Sequence, residues 1–213
     1  MLLKNIHEGL AVPQQFCSCF TVKGDYFFYH YYVDGANDIG WGCGYRSLQT
    51  VVSWIICNEL HQGLSGVPSI QCIQSKLVEI GDKHESFIGS KEWIGTYEAF
   101  LIIDALYKMS CKILHVSCGK ELYKVIEILK DHFQNTGSPI MMGGDIDCGS
   151  KTILGICHKE DDWWFLVLDP HFSKMKVYNK KQLQDESCVY WKHLSTFDDN
   201  SFYNFCIPLG LHQ

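Results

Sequence analysis

Asp169-Pro170-His171 sets a carboxylate and an imidazole two residues apart, directly after the apolar run Trp163-Trp164-Phe165-Leu166-Val167-Leu168. In an extended strand, residues i and i+2 point to one face, which would bring Asp169 and His171 side by side. Such a pair fixes the histidine tautomer and supports the charge the ring gains as a base. A base of this kind serves a nucleophile, and the best candidate is Cys43 in Gly40-Trp41-Gly42-Cys43-Gly44-Tyr45-Arg46. A thiol attacks as the thiolate, an anion that a helix N-terminus stabilises. Gly42 and Gly44 would let a substrate backbone come close and leave the Cys43 amide free to donate to an oxyanion. Each segment has a plainer reading, a cysteine in a tight turn and a turn ending a strand. Helix-start cysteine and strand-end Asp/His are complementary parts, however, and together they point to a cysteine hydrolase.

The elements that must position these groups follow from periodicity. After Gly44, apolar residues Leu48, Val51, Val52, Ile55 and Ile56 recur at helical spacing, so Cys43 falls in the first turn of an amphipathic helix. Tyr and Phe crowd Asp25 to Val33, which reads as a strand ended by the Asp/Gly/Asn loop that follows. Pro68-Ser69 begins a second helix with Ile70, Ile73, Leu77 and Ile80, and Thr96 to Lys108 forms a third. A strand at Cys111 to Val116 and a helix over Lys120 to Phe133 come next. Pro139 to Met142, Thr152 to His158 and Trp163 to Asp169 read as strands, with Lys174 to Tyr178 extending the meander. Helices early and strands late favour α+β over a doubly wound sheet. No linker or repeat divides the chain, so it reads as one domain over 1–213, with 1–24 an N-terminal extension and 25–213 the catalytic core.

Composition narrows the function further. The chain has 213 residues, 46 % hydrophobic content and a formal net charge of −6. It lacks a Lys/Arg run, so nucleic-acid binding has no electrostatic footprint. No apolar stretch approaches the length needed to cross a bilayer, and the start lacks a signal-peptide core. Eleven scattered cysteines then read as reduced thiols of a cytoplasmic protein, with a nuclear location equally compatible. Cys17-x-Cys19, Cys148 and Cys157-His158 lack the paired spacing of structural zinc sites. Neither a metal nor a cofactor is expected. His61, His84 and His132 read as surface residues without a role.

Four blocks carry a specific likeness: Gly40 to Thr50, Gly89-Ser90-Lys91-Glu92-Trp93-Ile94-Gly95, Thr152 to Ile156, and Leu168-Asp169-Pro170-His171. In this order they resemble the ubiquitin-fold-modifier-specific proteases (the UFSP family), over roughly residues 26 to 178, and in length the chain resembles the family's short form. The resemblance implies a papain-like fold, with Cys43, Asp169 and His171 as the catalytic set and the Tyr31 hydroxyl in the oxyanion hole. It further implies cleavage after the C-terminal glycine of a ubiquitin-fold modifier, both in its precursor and in its conjugates. Trp41, Trp93, Gly143 and Gly144 are the substrate-binding candidates. Trp93 would cover a channel or anchor its own loop, and Gly143-Gly144 would form a channel wall or a turn. Three rivals stand beside this reading. Autophagins, which process the autophagy modifiers, share Gly-Trp-Gly-Cys and Asp-Pro-His but usually carry methionine where this chain has Gly44. A zinc-finger deubiquitinase would need finger spacing that is absent here. The third rival is an inactive module that merely binds the modifier.

Overall fold

Residues 2–15, 18–60, 62–146, 149–174 and 179–211 are described by the structure, a computed structural model. Over these residues the order is β1 (Ser18–Thr21), α1 (Cys43–Cys57), α2 (Ile70–Glu79), α3 (Thr96–Tyr107), β2 (Met109–Val116), α4 (Ile126–Asn135), β3 (Ile140–Gly144), β4 (Lys151–Lys159), β5 (Asp162–Leu168), α5 (Lys180–Asp185), β6 (Val189–His193) and β7 (Tyr203–Leu211). The strands form one seven-stranded sheet in the order β2-β7-β3-β4-β5-β6, with β1 paired to β4. Every pairing among them is antiparallel. The architecture is α+β.

The sheet is covered on both faces. Along β5, Leu166 and Leu168 join the core shared with α1, α2 and α3, whereas Phe165 and Val167 join the core shared with α4. Residues of both parities are therefore buried, which is why this strand reads as an unbroken apolar run. Helix α1 is enclosed as well. All its residues from Cys43 to Ile55 are buried, so it is a central helix rather than a surface one. Helix α2 begins where Ser69 predicts, its hydroxyl accepting from the Cys72 amide at 3.1 Å.

Three expectations are corrected, and a fourth falls largely outside the described residues. Asp25 to Val33 is no strand of the sheet, its one bridge being Lys4 to Phe27. Two of its amides find side chains on α1 instead. The Phe27 N–H donates to Ser53 Oγ (2.9 Å) and the Tyr29 N–H to Thr50 Oγ1 (3.1 Å), so the segment lies along the helix. The helix expected from Lys120 opens as a 3₁₀ turn over Gly119–Val125 and becomes α4 only at Ile126. Residues 175–178 of the expected Lys174–Tyr178 strand lie outside the described residues, and the strand that pairs with β5 is β6. Finally, residues 18–21 are no mere extension, since β1 pairs with β4 from Ser18–His158 to Thr21–Gly155. Gly155 permits this because a Cβ there would sit 2.6 Å from the Phe20 carbonyl oxygen.

Candidate active site

Cys43 is the first residue of α1, directly after Gly42 at the N-cap. Its amide, like the others of a first helical turn, has no acceptor within the helix. The flanking glycines are needed for packing rather than substrate approach. A Cβ on Gly42 would lie 2.5 Å from Asp38 Oδ2, and one on Gly44 would collide with the Ile94 carbonyl oxygen.

Asp169 and His171 lie past the end of β5, so strand alternation is not what aligns them. The chain turns, and the His171 amide donates to Asp169 Oδ1 at 3.0 Å. The same oxygen is hydrogen-bonded to His171 Nδ1, which leaves Nε2 to face the thiol. Asp169 is itself fixed by its amide, which donates to the Cys188 carbonyl at 2.8 Å. Segment 149–150 closes one side of the imidazole, since a Cβ on Gly149 would lie 2.6 Å from His171 Cε1.

His171, the Ser150 backbone amide and the Tyr31 hydroxyl all lie close enough to the Cys43 sulfur to favour its anion. Burial opposes the thiolate, but these three donors outweigh it and the thiol pKa is lowered. His171 is raised to about 9, first by its bond to Asp169 and then by its bond to Cys43, against the effect of burial. Burial pushes Asp169 upward, yet the bond from His171 leaves it below the usual carboxylate range. For Tyr31, burial and then the neighbouring Cys43 raise the phenol, so it stays a donor. The Tyr31 ring meets His171 edge-on, with centroids 5.3 Å apart, and its amide donates to the Pro170 carbonyl at 3.1 Å. The structure thus brings together Cys43, Asp169, His171 and Tyr31 from three stretches of chain.

A cleft of about 230 Å³ opens at Cys43, lined by Trp93, Ile94, Gly95, Thr96, Gly143, Gly144, Ser150, Phe202 and Asn204. Trp93 is 57 % exposed and donates from Nε1 to the Gly40 carbonyl at 3.2 Å. It is a wall of the cleft, not a buried anchor. Gly143 and Gly144 end β3 opposite Asn204 and Tyr203 of β7, so they belong to a strand rather than a turn. Trp41 lies elsewhere. Its ring packs edge-on against Tyr45, centroids 5.8 Å apart, and is not among the residues lining the cleft.

Among the described residues no three His, Cys, Asp or Glu side chains are grouped to hold a metal ion, and Cys17 and Cys148 fall outside those residues. His84 is exposed and accepts from the Ser86 amide. His132, read as a surface residue, is buried, with Nε2 hydrogen-bonded to the Ser138 carbonyl at 3.0 Å. His61 lies outside the described residues. Asp38 and Arg46 had no assigned role, yet their side chains form a fully buried ion pair of 2.6 Å beside the site. The signal was a charged residue one turn after Cys43 on an otherwise buried helix, because a buried Arg requires carboxylates.

Known proteins resemble this chain in sequence and fold. The model of Peptidase family C78 matches residues 18–206. Ufm1-specific protease 1 of Mus musculus is 40 % identical over 213 residues, covering 99 % of this chain and 95 % of that protein. Probable Ufm1-specific protease 1 of Drosophila melanogaster is 40 % identical, covering 98 % and 87 % respectively. The crystal structure of UfSP from C. elegans superposes with a TM-score of 0.84 at 32 % identity, over 98 % of this chain and 37 % of that one. A family pattern running through nearly the whole chain, on a matching papain-like fold, makes this protein a member of Peptidase family C78.

Proposed function

We propose that this chain is a thiol peptidase that cleaves after the C-terminal glycine of Ufm1, the modifier named in its relatives, trimming the precursor and releasing the modifier from conjugates. The observation that carries the reading is a thiol set beside an imidazole and a phenol, in a cleft whose lining includes three glycines. The lowered thiol and the raised imidazole both favour passing the Cys43 proton to His171. The thiolate attacks the glycine carbonyl carbon, and the negative charge that develops on its oxygen is met by the Cys43 amide and the Tyr31 hydroxyl. His171 gives its proton to the leaving amine. The neutral ring, oriented by Asp169, then takes a proton from water, which attacks the thioester and releases the thiolate. Gly143 leaves part of the cleft free of a side chain, which suits a tail ending in glycine, and Trp93 also lines the cleft.

Probes built from Ufm1, an autophagy modifier and ubiquitin, each with a C-terminal thiol-reactive group, test the reading. Labelling by the Ufm1 probe alone, lost in Cys43→Ala, is the expected result. Labelling by ubiquitin or the autophagy modifier alone would overturn the substrate, and tight binding of Ufm1 without labelling would mark an inactive module. Tyr31→Phe is expected to slow turnover by ~10²–10³, the usual cost of one oxyanion donor.

A further inference from the structure

Tyr31 reaches Cys43 from backbone that does not hold its shape alone. The next residue, Tyr32, has φ of 60°, a left-handed setting that a non-glycine keeps only when its surroundings impose it. Asp38 is what imposes it. Asp38 Oδ1 accepts from the Tyr32 amide at 2.9 Å, and Oδ2 accepts from Arg46 Nε at 2.6 Å, one helical turn beyond Cys43. The Asp38 carbonyl accepts from the Gly42 amide at 2.8 Å, immediately before the nucleophile. The loop between them brings Gly40 near the Tyr31 hydroxyl.

Arg46 is clamped from its far side by Asp34, through bonds of 2.9 and 2.8 Å, and by Gln49 at 3.0 Å. A buried ion pair is weak evidence for stability, since well-packed apolar side chains often serve as well. A carboxylate that assigns each oxygen to a different element serves geometry instead. We infer that Asp38 is a positioning residue: through the Tyr32 amide and Arg46 it holds the Tyr31 hydroxyl at the Cys43 sulfur, ready for the oxyanion. The inference rests on the reading of Tyr31 as an oxyanion donor.

Asp38→Asn keeps the size but replaces one acceptor oxygen with an amide group that cannot accept. Two rates separate geometry from folding: turnover of a Ufm1 precursor, and alkylation of Cys43 by iodoacetamide. Alkylation displaces iodide in one step and passes through no oxyanion, so on its high-pH plateau, where the thiol ionises without help from Tyr31, its rate does not depend on that hydroxyl. Asp38→Asn is expected to lower kcat about 10–100-fold, as small misplacements of catalytic groups do, with KM and the alkylation rate close to wild type. The loss should vanish when Tyr31 is already Phe, because residues acting through one group are not additive. If Asp38→Asn fails to fold, Asp34→Ala takes its place. That side chain is 43 % exposed, and losing its fork on Arg46 should lower kcat several-fold, again only while Tyr31 is present. Wild-type kcat in the variant that folds, a loss that multiplies with Tyr31→Phe, or equal losses in turnover and alkylation would each overturn the inference. Wild-type kcat in Tyr31→Phe would instead overturn the reading of Tyr31, and the inference with it.

Discussion

Cys43 is poised by competition. Burial disfavours its anion, while His171, the Ser150 amide and Tyr31 favour it more strongly. The thiolate fills as pH rises through the lowered Cys43 pKa, and the imidazolium empties as pH rises through about 9. The profile of kcat/KM is therefore bell-shaped with an alkaline limb near pH 9, its two limbs belonging to the coupled pair. Asp169 supplies the largest influence raising His171. In Asp169→Asn the alkaline limb moves to lower pH, and the acid limb moves higher because Cys43 loses part of its cationic partner. A pH profile with an unshifted alkaline limb would contradict the role of Asp169. Cys43, Asp169 and His171 were legible because their types and spacing are themselves chemical statements. Tyr31 was legible only through a family likeness, since one tyrosine among Tyr29, Tyr31 and Tyr32 carries no mark of its own. Asp38 was opaque because the partner of a buried Arg is chosen by a loop's path, which spacing does not encode.

Helix α1 reads correctly as an amphipathic helix, but its polar face is not turned to solvent, because a neighbouring backbone claims the Ser53 and Thr50 hydroxyls. That same claim helps explain the lost strand at Asp25 to Val33, whose aromatic residues suit a sheet but whose Phe27 and Tyr29 amides are already bonded to the helix. Glycines divide in the same way. A Cβ on Gly144 would lie 2.9 Å from the Phe202 carbonyl oxygen, whereas one on Gly143 would meet only Ser150 Oγ at 3.9 Å. Gly143 thus faces open cleft and Gly144 faces packed strand. Gly143→Val should leave stability within ~0.5 kcal/mol, as substitutions into open space do. It should lower kcat/KM on Ufm1 precursor about 10–100-fold by narrowing the path of the tail, the scale at which misplaced reacting groups lose rate. Gly144→Val should cost about 1–3 kcal/mol through overpacking. Urea midpoints beside kcat/KM for both variants check this, and equal behaviour of the two would remove Gly143 from the channel.

The whole molecule depends on pairings between distant parts of the chain. Its class was legible from the order of helices and strands, but the strand order was not. β7, at the end of the chain, inserts between β2 and β3, and no local pattern announces such a partner. The start of the chain is tied in the same way. Ile6 has no exposure and sits in the core with Tyr26 and Leu183. Its carbonyl accepts from Gln184 Nε2 at 2.8 Å, and the Asn5 side chain accepts from the Tyr26 amide at 3.0 Å. These bonds stitch the first residues to α5 and to the segment leading into Tyr31. Ile6→Ala leaves a cavity among those groups and should cost about 2–5 kcal/mol, the usual range for a buried Ile or Leu truncated to Ala. Deleting residues 1–24 removes Ile6, Val22 and β1 together, so the loss should exceed that of Ile6→Ala. Urea denaturation of both forms, followed by far-UV circular dichroism, gives the comparison. A deletion form that unfolds at the wild-type midpoint would show the first 24 residues to be dispensable, and the core would then begin where the sequence alone had placed it. The expected result is the opposite, because β4 would lose its β1 partner from Gly155 to His158, leaving backbone groups of a central strand without the bonds that folding gave them.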